Sequence, residues 1–437
     1  MDGRIHSVTL DKERCTGCSN CLMRCPTEAI RVRRGRAHII DERCIDCGEC
    51  IRVCSNHAKI ALTEPLSSVF AYRHRIALPA PALYGQYRNL PSISLVIEGL
   101  IRLGFSDVVE VALGADIVTR AIKEKLKEKG LPKPMISSAC PTITRLIQLR
   151  FPDLIEHIID VRQPMEVAAS LARKQYAQKH SVSEDEIGIF FISPCAAKAT
   201  AIHNPLGHSL SQVNGIIAIR DIYGPLLQAM DGLKVGEKET RATRYGIGWA
   251  KSGGEAKAVG SIKRLAVDGM EDVISVLEEI ENGRLRDIEF FEGAACRGGC
   301  VGGPLTFENK FIARNTVKCL GEKLPVTHPD EVIHLEQLPP IPLHFEEDLK
   351  PNDSLKLHPS ISGAIERMER MQEILSILPG YDCGSCGSPT CRSFAEDIVR
   401  GYCTQNDCIF LLRDRLKVMA QEMIDISQTK REHSNDN

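Results

Sequence analysis

The sequence lacks three features that mark whole classes of protein: a long apolar run, a strong net charge and a secretion signal. No stretch approaches the roughly 18 apolar residues of a membrane-spanning helix, and Met1–His6 does not begin the apolar region of a signal peptide. The 55 Lys and Arg balance 57 Asp and Glu, and the formal net charge of -2 gives no electrostatic basis for binding nucleic acid or an anionic membrane. We therefore expect a cytoplasmic protein without membrane or nucleic-acid partners.

Cysteine, in contrast, is abundant. The 437 residues are 43% hydrophobic, which suffices for about three domains with buried cores, and they include 18 cysteines. In a secreted chain these would suggest disulfides. Without a signal, and with repeated C-x-x-C spacings, they indicate metal binding.

Two cysteine runs near the start follow one pattern. C-x2-C-x2-C-x3-C occurs at Cys15, Cys18, Cys21 and Cys25, and again at Cys44, Cys47, Cys50 and Cys54. In two-cluster ferredoxins the fourth cysteine of each run binds the other 4Fe-4S cluster. Zinc is the alternative, although structural zinc sites rarely use two evenly repeated four-cysteine runs. The repeat predicts a ferredoxin-like, two-cluster domain over residues 1–64 that passes electrons.

Four cysteines in the middle of the chain form a second candidate set: Cys140, Cys195, Cys296 and Cys300. The last two lie in the glycine-rich stretch Glu292–Pro304, where the backbone can bend closely around a bulky group. Taken alone, this stretch could be a loop with incidental cysteines. Together the four supply the thiolates that a 4Fe-4S cube needs.

The same region predicts an α/β fold. Arg75–Leu78, Asp107–Val111 and Ile187–Ile192 resemble buried strands, whereas Ile117–Lys129 and Met165–Gln178 have helical periodicity. This alternation predicts parallel sheets flanked by helices, with ligands at the carboxyl ends of the strands. Cys140 and Cys195 each follow a strand-like run.

Three motifs resemble the signatures of the FeFe-hydrogenases, which read T-S-C-C-P, M-P-C-x-x-K and M-A-C-x-x-G-C-x-x-G-G-G-Q. The corresponding stretches are Ser137–Thr142, Ile192–Lys198 and Glu292–Pro304. Further matches in family order are Leu78–Ala82, Leu103–Asp107, Gly114–Asp116, Arg150–Leu154, Arg162–Met165 and Ser252–Ala256. The resemblance implies a two-lobed hydrogenase domain over residues 65–345.

The resemblance also implies the cofactor and the residues around it. Cys140, Cys195, Cys296 and Cys300 would hold the cube, and Cys300 would bridge to a diiron subsite bearing CO, cyanide and a dithiolate. Lys198 would donate to a cyanide ligand, although a solvated lysine at a helix start is the alternative. The other positions expected around the cofactor are Ala80, Pro81, Pro194, Gly299 and Gly302.

Several departures from the family pattern concern proton transfer. Ala139 replaces the family's proton-relay cysteine, and Ser193 and Ala294 replace two methionines that pack over the diiron ligands. Other relay positions carry apolar or basic residues, namely Ile122, Lys125 and Ile159. Positioned proton-transfer groups contribute about 10²- to 10⁴-fold, so hydrogen chemistry here should be slow. This resembles the sensory branch of the family; the alternative is a working catalyst with another relay, through water and Glu124 or Glu128.

Residues 346–437 predict a third domain. Apolar residues recur at a/d spacing from Ile361 to Leu378, and Leu411–Ile426 predicts a final amphipathic helix. Between them, C-x2-C-x4-C-x16-C resembles the 4Fe-4S module of corrinoid iron-sulfur proteins, with its four cysteines at Cys383, Cys386, Cys391 and Cys408. Cys403 competes with Cys408 as fourth ligand. The chain would then hold four 4Fe-4S clusters.

These observations lead to one functional hypothesis and two alternatives. The first is an oxygen-sensitive iron hydrogenase of the ferredoxin type from an anaerobe, of low activity, which binds H2 and protons and acts as a hydrogen sensor. It would need a redox or signalling partner protein and could form a homodimer. The alternatives are a catalytic hydrogenase subunit that feeds a redox partner, and an iron-sulfur electron carrier without the diiron subsite.

Overall fold

The computed structural model describes residues 6–235, 240–260 and 262–435, with side chains to residue 426. The chain divides into two compact units. Unit 1 comprises Met1–Thr9, Cys44–Arg52 and Ile60–Asn352, and unit 2 comprises Leu10–Arg43, Val53–Lys59 and Asp353–Asn437. Residues 1–64 contribute to both units. The domain bounds 1–64, 65–345 and 346–437 stay predictions.

Short strands are distributed along most of the chain. They are β1 (Val8–Leu10), β2 (Ile30–Arg33), β3 (Arg36–Ile39), β4 (Lys59–Ala61), β5 (His74–Pro79), β6 (Asp107–Val108), β7 (Met135–Ile136), β8 (Ile187–Ser193), β9 (Gly215–Ala218), β10 (Arg264–Asp268) and β11 (Phe290–Ala294).

Helices connect and cover these strands. They are α1 (Asn20–Met23), α2 (Glu49–Val53), α3 (Pro81–Tyr84), α4 (Ile93–Arg102), α5 (Val111–Lys125), α6 (Pro141–Arg150), α7 (Pro164–His180), α8 (Ala196–Ala201), α9 (Ile219–Met230), α10 (Arg244–Gly248), α11 (Gly254–Val259), α12 (Met270–Glu281), α13 (Lys310–Glu322), α14 (Pro329–Val332), α15 (Ile361–Ile377), α16 (Cys391–Val399) and α17 (Ile409–Asn435). None of the helices in the described residues combines the length and apolar character that crossing a bilayer requires.

The larger sheet of unit 1 is parallel, with strand order β6-β5-β8-β9. Every residue of β8 is buried, as expected for a central strand of a sheet covered by helices, and α7 and α9 pack against it. The strands predicted at Arg75–Leu78 and Ile187–Ile192 are confirmed. The strand predicted at Asp107–Val111 is wrong beyond Val108, because the chain turns there and α5 begins at Val111.

A second parallel sheet has the order β10-β11-β7. Its strands β7 and β11 end at Ile136 and Ala294, and β8 of the larger sheet ends at Ser193. Cys140, Cys296 and Cys195 follow these three ends. The predicted α/β fold, with parallel sheets flanked by helices, is confirmed, and the ends of its strands position the candidate site.

Helices α5 and α7 pack against each other through a small residue. An added Cβ on Gly114 of α5 would lie 2.3 Å from the backbone oxygen of Pro164 and 2.9 Å from Cβ of Ala168, both on α7. The helices predicted at Ile117–Lys129 and Met165–Gln178 are these two. α5 begins earlier than predicted because its first turn, buried beside α7, is also apolar.

Unit 2 joins the β2–β3 hairpin to the C-terminal cysteine module. The amide of Val32 donates to the carbonyl of Gly387 at 2.8 Å, and the buried carboxylate of Asp397 pairs with Arg31 at 2.6 Å and Arg33 at 2.8 Å. Breaking such a buried pair from one side leaves an uncompensated charge, at a cost of about 3–5 kcal/mol. Replacing Asp397 alone should therefore destabilise unit 2.

The contact at Gly114 leads to a stability prediction. We expect Gly114→Ala to lower the free energy of unfolding by about 1–3 kcal/mol, because the new methyl group must displace backbone of α7. Denaturant titration of the cluster-loaded protein measures the effect. Gly321→Ala on α13 is the matched control: its nearest contact would be an ordinary 3.7 Å from the oxygen of Arg244, so a neutral or slightly stabilising effect is expected. An equal loss in both variants would contradict the packing argument.

Candidate active site

One cavity in unit 1 contains most of the residues expected around the cofactor. It encloses about 1000 Å³ of atom-free space, part of it open to solvent, which is large enough for a bulky cofactor. The predicted residues on its wall are Cys140, Cys195, Cys296, Cys300, Lys198, Ala80, Pro81, Ala139, Pro194, Ala294 and Gly299. The carboxyl ends of strands from both sheets thus bring together motifs more than a hundred residues apart.

Two expected residues, Ser193 and Gly302, are not part of the cavity wall. The buried hydroxyl of Ser193 accepts a hydrogen bond from the amide of Cys195 at 3.0 Å and donates one to its carbonyl at 3.1 Å. The carbonyl of Gly302 accepts a hydrogen bond from Arg52 at 2.8 Å. Both residues therefore shape the cysteine-bearing loops.

The cysteine thiols line the cavity, where Cys140, Cys195 and Cys296 are half-buried and Cys300 is exposed, and the surrounding protein removes part of their hydration. This desolvation raises the pKa of Cys140 and Cys195 above the ordinary thiol value and raises the pKa of Cys300 to about 12. Nearby cysteines add to the increase for all three. Iron requires thiolates, and a bound metal deprotonates its thiol ligands. The donor set fits a 4Fe-4S cube, and the role of the four as ligands stays a prediction.

Lys198 provides positive charge beside these thiols. Its ammonium acts to lower the pKa of Cys140, Cys195 and Cys300, and it lies 5.4 Å from the ring centroid of Phe191. Among the side chains that the structure describes, none forms an ion pair with it. A cation recessed in a cavity wall needs an anionic partner to offset its lost hydration. An anionic cofactor meets that need.

The second cysteine run of the ferredoxin-like region contributes to the same cavity. Cys47 lies on the wall, and the guanidinium of Arg52 donates to Sγ of Cys296 at 3.0 Å. Burial alone would lower the pKa of Arg52, but Cys296 and Glu49 together raise it above its ordinary value. Sequence reasoning missed Arg52, because nothing near it in the chain marks a partner 244 residues away.

Close to Cys44, the carboxylate of Asp46 links separate segments of unit 1 through hydrogen bonds. It accepts hydrogen bonds from the amide of Val8 at 2.9 Å and the hydroxyl of Thr200 at 2.7 Å. His6, Cys44 and Asp46 offer ligand atoms within 4.8 Å of one another. The bonds to Val8 and Thr200 occupy both oxygens of Asp46, so we interpret it as a structural group.

The first ferredoxin cysteine run lies in unit 2 together with Cys54. Desolvation and the charges of Cys18, Cys54 and Cys15 raise the pKa of Cys21, while Lys59 lowers it. Cys54 thus lies with the first run, as the crossed arrangement predicts. The ammonium of Lys59 is buried and makes no hydrogen bond with the described residues, which fits a cluster of net negative charge.

The remaining cysteines of this region divide between the units. Cys44, Cys47 and Cys50 belong to unit 1 and Cys25 belongs to unit 2. The cluster predicted for these four stays a prediction.

A smaller cavity in unit 2 collects the C-terminal cysteines. Its wall includes Cys383, Cys386, Cys391 and Cys408 and does not include Cys403. The sulfur of Cys403 lies 4.0 Å from the carbonyl of Phe394 instead. This placement favours Cys408 as the fourth ligand.

Two buried carboxyls on the wall of the first cavity were not predicted as site residues. Both carboxyl oxygens of Glu255 lie within hydrogen-bond distance of the hydroxyl of Ser137, at 2.8 and 2.7 Å, and that hydroxyl accepts a hydrogen bond from the amide of Ala139 at 3.1 Å. Glu292 accepts bonds from the amides of Gly253 at 2.9 Å and Ala256 at 2.7 Å. In the sequence, each is marked only as an acidic residue among small and apolar residues within a stretch that matches the family.

Burial changes the protonation of both carboxyls. It raises the pKa of Glu255 well above its ordinary value, and the neighbouring Glu292 charge adds to this. Burial likewise raises the pKa of Glu292 to about 7. Both groups can therefore hold a proton near neutral pH.

The relay positions considered from the sequence lie elsewhere. Glu124 and Glu128 are exposed on the surface, paired at 2.9 Å with Lys127 and Lys125 respectively, and neither lies on the cavity wall. Ile122 is buried in the hydrophobic core. The route through Glu124 or Glu128 therefore has no support from the structure.

Three parts of the sequence match known protein families. Residues 73–304 match the family described as iron only hydrogenase large subunit, C-terminal domain. The chain belongs to the iron-only hydrogenase family. In addition, residues 7–55 match a 4Fe-4S dicluster domain and residues 378–410 match a putative Fe-S cluster domain. The predicted family is confirmed, as is a 4Fe-4S dicluster domain near the start of the chain, and the C-terminal match supports an iron-sulfur module there.

Two curated iron hydrogenases illustrate the distance within the family. The periplasmic Fe hydrogenase large subunit of Nitratidesulfovibrio vulgaris is 26% identical over 214 residues, covering 45% of this chain and 51% of that protein. Iron hydrogenase 1 of Clostridium pasteurianum is 21% identical over 322 residues, covering 66% of this chain and 54% of that protein. The chain thus spans about half the length of the curated relatives it matches.

A solved structure is also similar. A variant of the FeFe-hydrogenase HydA1 from Chlamydomonas reinhardtii aligns with a TM-score of 0.48 at 16% identity, over 61% of this chain and 90% of that one.

The C-terminal cavity leads to a prediction about metal content. We expect Cys408→Ser to remove about four iron atoms per chain, one cube, because it deletes a donor from the wall of that cavity. Cys403→Ser should retain them, since Cys403 lies off the wall. Iron and sulfide analysis of the reconstituted variants measures the difference. The opposite result would assign the fourth ligand to Cys403.

The raised pKa of Glu292 leads to a prediction about pH. The folded chain keeps a proton that the unfolded chain releases at a pH near 4.5, so stability falls as pH rises from about 4.5 to about 7, by about 3 kcal/mol for this group. The infrared carbonyl band of a protonated carboxyl should lose a component with a midpoint near pH 7, and Glu292→Gln should abolish that component. A midpoint near the ordinary value would count against the assignment.

Proposed function

We propose that this protein binds H2 and interconverts it slowly with protons and electrons, and that it serves as a hydrogen sensor. The observation that supports this most strongly is the shared cavity, where four cysteines and Lys198 surround a position at which Ala139 offers no proton carrier. Cys140, Cys195, Cys296 and Cys300 would hold the cube, and Lys198 would face the diiron subsite. When bound, this cofactor, with its CO, cyanide and dithiolate ligands, would supply the chemistry that splits H2.

The residues of the chain provide a restricted route for protons. The hydroxyl of Ser137 lies between the amide of Ala139 and the carboxyl of Glu255. A single hydroxyl therefore separates a proton on Glu255 from residue 139, where the family has its proton-relay cysteine. The core residues Ile122 and Ile159 offer no alternative carrier on the family's route. We infer a slow exchange of protons through Glu255.

Electrons would leave through the ferredoxin-like region. Cys47 lies on the cavity wall, and Arg52 joins the neighbouring helix α2 to Cys296 and Gly302. A cluster held at Cys44, Cys47 and Cys50 would therefore lie next to the central cube. Slow turnover with a short electron path is better suited to signalling the presence of H2 than to converting large amounts of it.

A catalytic subunit that feeds a redox partner is the second candidate. The buried pair Glu255 and Glu292 favours it, because carboxyls with a raised pKa are effective proton carriers near neutral pH. An electron carrier without a diiron subsite is the third candidate. Infrared bands of CO and cyanide in the matured protein would exclude it, and their absence would support it.

Partner binding is also part of this proposal. Exposed apolar residues follow a three-four spacing along α17, at Leu412, Leu416, Met419, Met423 and Ile426. This is the spacing of a helix-helix seam. We propose that this face binds the same helix of a second copy of the chain.

Substitutions at the proton route test the proposal. After maturation, Ala139→Cys should raise H2 oxidation by about 10²-fold or more, because it restores a proton carrier, and Glu255→Gln should lower the residual rate by about 10-fold or more. Gas uptake and D2–water exchange measure both rates, and the CO infrared bands confirm that the cofactor is retained.

Glu128→Gln is the matched control, since it removes an exposed carboxyl and should leave the rate unchanged. A fast wild type that Ala139→Cys does not improve would support the catalytic subunit instead of the sensor. An unchanged rate in Glu255→Gln would exclude the proposed route.

A further inference from the structure

A second cavity in unit 1 has a composition unlike the first. It encloses about 1320 Å³ of atom-free space, partly open to solvent, between the segment that contains α10 and α11 and one face of α13. Five cations and a single carboxylate line it: Arg244, Lys251, Lys257, Arg314, Lys318 and Glu322. The hydrogen chemistry proposed above uses none of them.

The cations of this cavity are poorly compensated. Lys318 lies 3.7 Å from Glu322, whereas Arg244, Lys251, Lys257 and Arg314 form no ion pair with any side chain that the structure describes. Arg314 and Lys318 are also four residues apart on α13, where like charges weaken a helix. Such an arrangement becomes favourable when an anion joins it.

Lys251 is close to the other cations of this cavity. Burial lowers its pKa, and repulsion from Lys257, Arg314 and Lys318 lowers it further. Lys251 also lies on the wall of the first cavity. The two cavities therefore share this residue.

The backbone amides of the glycine turn Lys251–Gly254 contribute little to binding an anion. The amide of Ser252 already donates to Gly298, that of Gly253 to Glu292 and that of Gly254 to Lys251. An anion would therefore be bound by the side-chain cations and not by a cradle of amides. Point charges of this kind bind phosphate groups well.

Aromatic side chains complete the wall. Phe311 is 69% exposed, and Tyr245 is half-buried on the same lining. They offer a flat surface beside the cations. The recessed shape favours a small molecule over the convex surface of an acidic protein.

We propose that this cavity binds a small phosphate-bearing ligand with at least two negative charges, either a nucleotide or an inorganic polyphosphate. The proposal is independent of hydrogen chemistry, because none of its residues is a predicted ligand of the central cube.

Calorimetric titration of the cluster-loaded full chain with inorganic triphosphate, ATP and adenosine tests the proposal. We expect saturable binding of triphosphate and ATP, and none of adenosine alone. Lys257→Gln combined with Arg314→Gln should weaken binding by about ten-fold or more, since each substitution removes a charge-assisted contact. Tighter binding of ATP than of triphosphate would assign a nucleotide, and equal binding would assign the phosphates alone.

The matched control combines Lys179→Gln with Arg264→Gln, which removes the same charge from two exposed positions outside this cavity. It should change the affinity by less than about two-fold. If the first double variant does not fold, as judged by circular dichroism, Lys318→Gln replaces it. The proposal fails if neither phosphate compound binds at millimolar concentration, if the control loses as much affinity, or if polyglutamate binds and triphosphate does not.

Discussion

The balance of charge around one partly enclosed cavity is the constraint on which this structure depends. Thiols, two carboxyls and the ammonium groups of Lys198 and Lys251 share a wall where charges lose part of their hydration, so no group can ionise without affecting the others. Lys198 acts against the raised pKa of the cysteines and of Glu255. The residues on this wall therefore form a single electrostatic system, and a bound anionic cofactor would complete it.

The fold creates this system by a simple geometric rule. Parallel strands end on one side of a sheet, and loops that follow them can converge although they are distant in sequence. β7, β8 and β11 deliver Cys140, Cys195 and Cys296 in this way. Helix packing then fixes the sheets, with Gly114 allowing α5 and α7 to approach closely.

The sequence predicted the parts of the site that depend on local spacing. Cysteine runs predict cluster ligands within a few residues, and Ala139 is notable because it interrupts a motif. The buried runs Arg75–Leu78 and Ile187–Ile192 were predicted as strands for the same local reason. Arg52 and Glu255 acquire their roles only through tertiary contacts, with Cys296 and Ser137, and no local pattern signals a contact of that kind.

The position of the second cysteine run affects how this protein can be dissected. Cys44–Arg52 is part of the same compact unit as the central cavity, so its ferredoxin-like region is not a detachable electron adaptor. A shortened chain starting at residue 65 would lose part of the cavity wall and the hydrogen bond to Cys296 together with the clusters. The ferredoxin-like region thus supplies part of the wall of the central cavity, and cutting the chain between the two modules would open that cavity.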